Sequence, residues 1–429
     1  MEGSYLSSCD RGMSLESFPG MVRYSGRGSQ AAEPKPFCSV RPELRLERGL
    51  DQEKVVLLAT AAITEDNLFM NGLFQNIYIM YRMFEAMGWK PFLLVNMKPA
   101  DMNKVPKYMQ DVRLMGLEEI AKTPIPVQLY IEIGMSTDAS MRKYLKNCGA
   151  KIGKLYLGNI INIDVETPIF YPDMFFSHHV IGELDDIWVS PHYAQHGEYA
   201  RAMNHISLSK GLGPVVPYVW DPQILSRDGE RKFSWKPAQG SAAPESGPSD
   251  DVFVIVEPNI SFQKCSLVPL MAIETWFRRN PGWRGEVVVV NGERLMLIPF
   301  FKESVWANLE LVKAGRVKML GRMDILTIMT KWPSAIPVCT QWNNEYNYMV
   351  LEYFHAGYPV LHNASDWSEY GYYYRGADLR GAADLIDNIR ANHHQRGEVF
   401  RAHTRALLWR HSPYNPEVHA RWNAVIESM

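Results

Sequence analysis

The sequence predicts an α/β protein of two domains, each built on a parallel sheet, facing one another across a cleft. Three observations predict it. Short apolar, β-branched runs alternate with stretches of helical periodicity through most of the 429 residues. The alternation falls into two series, split by a polar stretch rich in Pro, Gly, Ser and Ala at 226–251. Polar residues gather where strands give way to loops, on the side where open α/β sheets bind ligands.

Bulk properties narrow the classes. The apolar fraction of 46% and charged fraction of 21% are those of a globular protein with two or three domains. A net charge of −2 carries no global footprint for nucleic acid or an anionic membrane, so no nucleic-acid partner is expected. The five cysteines are scattered at 9, 38, 148, 265 and 339, with no CxxC spacing. Neither a zinc site nor a disulfide framework is indicated, and reduced thiols in a cytoplasmic protein are the plain reading. No run approaches the roughly 18 apolar residues of a membrane helix, and no apolar leader opens the chain.

Residues 1–51, rich in Ser, Gly, Arg and Pro, read as a poorly ordered extension. A first domain over 52–222 opens with the buried strand KVVLLAT from Lys54. A polar loop (Thr64, Glu65, Asp66, Asn67) and Asn71-Gly72 lead into a helix over 73–87. Its apolar face holds Leu73, Ile77, Met80, Tyr81 and Phe84, and Gly88 stops it. A strand at 91–96 completes a βαβ unit. Strands follow at 127–133, 154–157 and 187–190, with helices at 138–147 and 196–205. Asn159, Asn162, Asp164 and Glu166 read as a polar loop, and 215–219 closes the domain.

After a linker or mobile loop at 223–251, a second domain spans 252–412. Strands are expected at 252–256, 286–290 and 317–320, with helices at 266–279, 302–313 and 323–331. The stretch from Ala335 to Tyr374 then reads as a strand at 336–340, a polar loop and a helix at 347–356 ended by Gly357, followed by a strand at 358–362. Helices at 379–392 and 397–409 follow, and a last one at 416–428 lies within a terminal segment, 413–429.

Several residues could carry chemistry. Asn71 and Gly72 stand where a loop enters a helix; free N–H groups there suit a phosphate, although Asn-Gly is also an ordinary cap. Asn259 and Lys264 lie in the loop EPNISFQK after the first strand of the second domain. Lys264 could neutralise a leaving group or be a solvated surface lysine. Arg322, after the strand at 317–320, could supply a second cation. Glu132 ends a strand at the crevice between Ile131 and Ile133 and is the candidate base, while Asp138 reads as a helix cap. His178 and His179 read as structural or solvated. Asn344, Glu345, Tyr348, Glu352 and Asn363 line the loops and helix of the 335–374 stretch. The cluster of Trp367, Tyr370, Tyr372, Tyr373 and Tyr374 would stack on a sugar or base ring, or pack between domains. There is no G-x-S-x-G elbow, Walker loop, HExxH or glycine-rich dinucleotide fingerprint.

The run VLEYFHAGYPVLHN resembles the donor-site helix and strand of GT-B glycosyltransferases, which have two Rossmann-like domains. The resemblance implies that Glu352 contacts the ribose of a nucleotide sugar. A second glutamate often stands eight positions earlier in that family; here the position is Asn344, with Glu345 beside it. The wider pattern resembles a bacterial domain-of-unknown-function family of GT-B-like proteins associated with surface-polysaccharide genes. The matching pieces are NGLFQN (71–76), YIEIG (130–134), VPYVWDP (216–222), VEPNISFQKCSLVPLM (256–271), QWNNEYNYMVLE (341–352) and HN…GYYYRGADL (362–379).

The resemblance implies a nucleotide-sugar donor, a glycan or lipid-linked acceptor and a terminal helix that crosses back to the first domain. It is compatible with peripheral attachment at the inner face of a membrane. No cofactor beyond the donor and no metal is expected, since no Asp-x-Asp is present. A metal-independent, retaining glycosyltransferase is the reading preferred. A sugar-nucleotide epimerase and a non-catalytic sugar- or nucleotide-binding scaffold on the same fold are the alternatives. The sugar, the nucleotide and the oligomeric state are left open.

Overall fold

The apolar run from Val55 forms β1 (Lys54–Thr60), buried from its second residue onward and central in its sheet. The computed structural model describes residues 53–60, 72–105, 109–120, 122, 125–170, 179–209, 211, 213–225, 233–237 and 251–429. The N-terminal extension, the loop of Thr64 to Asn67, Asn71, His178 and most of 226–251 lie outside them. β1 is flanked by β2 (Trp89–Val95) and β4 (Val127–Glu132). With β3 (Leu114–Gly116), β5 (Lys151–Tyr156) and β6 (Asp186–Val189) the order is β3-β2-β1-β4-β5-β6, parallel throughout. This is the doubly wound order, and its crevice opens where β1 and β4 diverge.

Helix α1 (Gly72–Ala86) buries Phe74, Ile77, Tyr78, Met80, Tyr81 and Phe84, as its periodicity requires, and Gly88 turns the chain at φ 79°. Helix α2 (Ala139–Asn147) starts at Asp138, whose carboxylate accepts from the Met141 N–H. The expected polar loop after β5 is instead helix α3 (Ile160–Phe170). Asn159 accepts from the Asn162 N–H at 3.3 Å and so satisfies a donor at the helix start, which a reading by polarity mistakes for loop. Helix α4 (Gly197–Met203) follows β6.

The second domain repeats the plan. β7 (Val252–Ile255), β8 (Glu286–Val290), β9 (Val317–Leu320) and β10 (Ile336–Pro337) take the order β10-β7-β8-β9. A parallel bridge from Val338 to Leu361 adds the pair β11 (Leu361–His362) and β12 (Tyr372–Tyr373). The run is then β9-β8-β7-β10-β11-β12, the same doubly wound sequence, with its switch between β7 and β10. Helices α5 (Leu267–Arg279), α6 (Ile325–Lys331) and α7 (Tyr348–His355) cover it, and Gly357 at φ 76° ends α7.

Two expectations differ. The helix expected at 302–313 is broken into a wide turn, a tight turn and a short helix beginning at Glu310. Buried Glu274 causes the new start, accepting from the N–H groups of Glu310 and Leu311 at 2.9 and 3.0 Å. The two helices expected at 379–392 and 397–409 are one, α8 (Leu379–Arg410). Gly397 does not break it, because continuous packing on the second domain outweighs the roughly 1 kcal/mol cost of an interior glycine. Asp387 accepts from Trp276 Nε1, and Phe400 packs on Phe354, Tyr372 and His393. Within the expected linker, 233–237 is docked on the second domain: the Trp235 N–H donates to Ala356 O and its indole to Ala335 O.

Helix α9 (Pro416–Ser428), capped by Asn415, crosses back to the first domain. Its Trp422 is fully buried edge-on to Phe84 and Trp188, and Lys151 Nζ donates to Ile426 O at 2.7 Å.

Candidate active site

The two switch points face each other, and polar side chains from both domains meet between them. Chain contacts bring the loops together. Asn159 Nδ2 donates to Asn343 O at 2.6 Å, and the Tyr193 hydroxyl bonds to Asn344 Oδ1. Asn344 is thus buried and held by the first domain. Tyr348 is also at the interface, where its hydroxyl accepts from Asn76 Nδ2 at 2.5 Å and donates to Val219 O at 2.7 Å. Gly72 approaches it closely, since a Cβ there would lie 3.3 Å from the Tyr348 ring.

Glu352 is enclosed between α7 and α1. Its nearest polar partner is Gln75 Nε2 at 3.5 Å, and burial pushes its carboxyl up to about 8 against the pull of that hydrogen bond. At neutral pH it is therefore mostly protonated.

At the end of β7, Glu257 is 0% exposed. Its Oε1 accepts from the Thr340 N–H at 3.1 Å and from Gln341 Nε2 at 3.4 Å. Its Oε2 has no hydrogen-bond partner among the described residues, and the same holds for Gln341 Oε1 and Gln263 Nε2. Burial raises the Glu257 carboxyl to about 8, opposed by those bonds and by the charge of Lys264. Lys264 keeps some surface, yet desolvation draws its ammonium down, opposed by Glu257. The lysine's field also reaches the first domain. His192 is held well below its ordinary value first by burial, then by Lys264, His411 and His196. The His192 ring stacks on Tyr346 at 4.5 Å, and its Nδ1 is unpartnered among the described residues. Tyr346 stacks in turn on Trp367 at 4.8 Å, whose indole donates to His411 Nε2.

Other expected site residues have structural partners. Asn259 sits at φ 53° with Nδ2 donating to Glu257 O, Ser266 Oγ and Asn291 O, while Oδ1 accepts from the Ser266 N–H. Asn363 clasps the Gln341 backbone through both its amide atoms and donates to Gly376 O. Glu345 accepts from Ser365 Oγ at 2.7 Å. Arg322 follows β9, two strands from β7, or about 10 Å across the sheet. Partial burial and the neighbouring Arg294 lower its pKa.

Glu132 ends β4 and is fully buried. Its Oε1 accepts from Arg142, the Thr137 N–H and the Thr137 hydroxyl at 3.0–3.1 Å, while Lys154 Nζ lies 3.7 Å from Oε2. Lys154 donates to Ser136 Oγ and has its ammonium drawn down by burial. His179 is tied to Asp164 at 2.8 Å. In the aromatic cluster Trp367, Tyr372 and Tyr374 are buried as packing; the Tyr374 hydroxyl bonds to Thr340 and Cys339 O.

Sequence reasoning named Glu257 only as the first residue of its loop and missed His192, Tyr193 and Tyr346. The signal was present: Pro191 to His196 immediately follows β6, at the ligand-binding end of its sheet.

Two doubly wound domains, a cleft between their switch points and a returning terminal helix define the GT-B fold. The chain belongs to the family described as "Protein of unknown function (DUF2827)", which matches residues 57–426. A glycosyltransferase from Rickettsia africae ESF-5 is similar at 13% identity and a TM-score of 0.51, covering 88% of this chain and 99% of that one. Anabaena Alr3699/HepE in complex with UDP and glucose is similar at 12% identity and a TM-score of 0.51, over 88% and 100% of the two chains. The N-terminal domain of Candida albicans trehalose-6-phosphate phosphatase reaches a TM-score of 0.56 at 9% identity, over 88% and 97%. At such identities the likeness establishes the fold. Among curated proteins none matches this chain. Among the described residues no helix is long and apolar enough to cross a membrane.

Proposed function

We propose that this chain is a nucleotide-sugar-dependent glycosyltransferase that moves a sugar to a glycan or lipid-linked acceptor. The observation that carries the reading is Lys264, set at the switch point of the second domain beside buried Glu257 and opposite His192. As a glycosidic bond breaks, negative charge builds on the departing diphosphate, and a fixed cation in a poorly solvated cleft stabilises it. Lys264 supplies that charge, so the reaction runs without a divalent metal. Neutral His192 and Asn344 offer hydrogen-bonding atoms to sugar hydroxyls from opposite walls, and Glu352 meets the ribose once Gln75 turns aside.

Glu132, engaged by Arg142 and Lys154, is withdrawn from service as a base, which favours a retaining outcome. The apolar, exposed Val165, Ile169 and Phe170 on α3, a helix that starts at the cleft beside Asn159, suit a lipid-linked acceptor at a membrane face. Thermal-shift screening of nucleotides and nucleotide sugars, then a donor-hydrolysis assay, tests the reading. A nucleoside diphosphate and its sugar conjugate should raise the unfolding temperature, and the conjugate should be slowly hydrolysed. Stabilisation by no nucleotide would overturn the reading. Interconversion of the donor sugar without transfer would point to an epimerase.

A further inference from the structure

The Lys264 site contains more polar chemistry than a single cation needs. Glu257 is sealed at the end of β7, with one oxygen held by Thr340 and Gln341 and the other unpartnered among the described residues. No direct ion pair links it to Lys264 among the described residues, yet each feels the other's charge. The remaining neighbours are weak acids or neutral groups. Cys265, Cys339 and Tyr374 feel the charge of Glu257, and all three have their titrations raised chiefly by burial, so they stay protonated. His192, from the first domain, feels the charge of Lys264 and is neutral, as is His411. A diphosphate entering here meets one positive group and one carboxyl. An ionised carboxylate beside an incoming anion would repel it in a medium that screens poorly.

Resting on the glycosyltransferase reading, we propose that Glu257 and Lys264 receive the donor's diphosphate as a proton-linked pair: Lys264 binds as the ammonium, Glu257 as the neutral acid with its free oxygen donating to a phosphate oxygen. The proton comes from solvent; no other bond forms or breaks. Glu257 is thereby a phosphate ligand rather than a counter-ion that competes with it. Binding near pH 8, where Glu257 is about half ionised in the free protein, then takes up protons. Nucleoside diphosphates are fully ionised at that pH, since a terminal phosphate loses its last proton near pH 6, so they release none that would mask the uptake.

The test is an unbuffered pH-stat titration near pH 8 with UDP, GDP and ADP, and with sulfate as a nucleotide-free dianion. Wild type should consume acid, approaching about half a proton per bound anion. Glu257→Gln, which keeps the shape and the donor, should still bind and consume less than about a third of that amount. Circular dichroism checks its fold. Equal acid consumption by Glu257→Gln and wild type overturns the proposal, as does binding to wild type without consumption, a result that stands even if the variant does not fold. If only sulfate binds, with the same consumption, the pair stands and the nucleotide reading falls. If no anion binds, both fall.

Discussion

Each domain buries a glutamate at the switch point of its sheet, and the two are held in opposite ways. Glu132, beside β1, has two cations, Arg142 at 3.1 Å and Lys154 at 3.7 Å, and four hydrogen bonds on Oε1, while Oε2 accepts none. Glu257, beside β10, has two hydrogen bonds on one oxygen, none on the other, and a single lysine at a distance. Both are equally removed from water. A carboxylate whose charge is met from within by two cations holds strands and helices in place. One whose charge has no ion pair among the described residues is poised for something that arrives from outside. The candidate base foreseen from sequence is the ion-paired member of this contrast, and the residue passed over as a loop opener is the one without an ion pair among the described residues.

Stability measurements can break that contrast. The largest effect is expected at Glu132. Glu132→Ala leaves Arg142 and Lys154 buried against each other and should cost about 3–5 kcal/mol in urea unfolding, enough to threaten the fold. A loss below about 1 kcal/mol would mean the cluster is not the anchor described here. Glu257→Gln should behave otherwise and depend on pH. The carboxyls of Glu257 and Glu352 rise from 4.5 to about 8 on folding. The folded state therefore keeps protons that the unfolded chain loses, and the stability they confer is full below about pH 4.5 and fades as the pH rises through about 8. Glu257→Gln and Glu352→Gln should each flatten the fall in unfolding temperature between about pH 5 and pH 9. An unchanged slope in both would place these carboxyls in contact with water. The smallest effect belongs to the cleft itself. Tyr193→Phe removes one bond between the domains, to Asn344, and should cost about 1 kcal/mol while increasing proteolysis at the domain boundary. No change in either would show that this bond does not help hold the cleft closed.

Much of the fold was legible because β-branched runs and 3.6-residue periodicity are local signals. Five of the six parallel strands of the first domain, the strands and α5 at the start of the second, and the helical character of the last segment follow from them; β3 (Leu114–Gly116) was not foreseen, and the return of α9 was implied by the resemblance. Elements that depend on a distant partner were not legible. The break before Glu310 is imposed by Glu274 from another helix, and α3 was read as loop because Asn159, Asn162, Asp164 and Glu166 make its sequence polar. The continuity of α8 through Gly397 rests on packing against α5 and α7. The site was half visible. Lys264, Asn344 and Glu352 could be named from their loops and helix, and Glu257 stands in the loop of Lys264, but His192, Tyr193 and Gln75 reach them only when the two domains meet. Each carboxyl leaves its Oε2 without a hydrogen bond, and nothing local distinguishes Glu257, with no ion pair among the described residues, from Glu132, which has two.

If the Glu257–Lys264 site acts on the charge of a departing diphosphate, Lys264 carries most of that effect. Lys264→Ala tests it most directly, in a comparison of donor turnover with wild type on the nucleotide sugar found by screening. Turnover should fall about a hundredfold, close to 3 kcal/mol in the transition state, with binding of the phosphate-free nucleoside unchanged. Equal turnover by the two proteins would contradict it and remove Lys264 from the site.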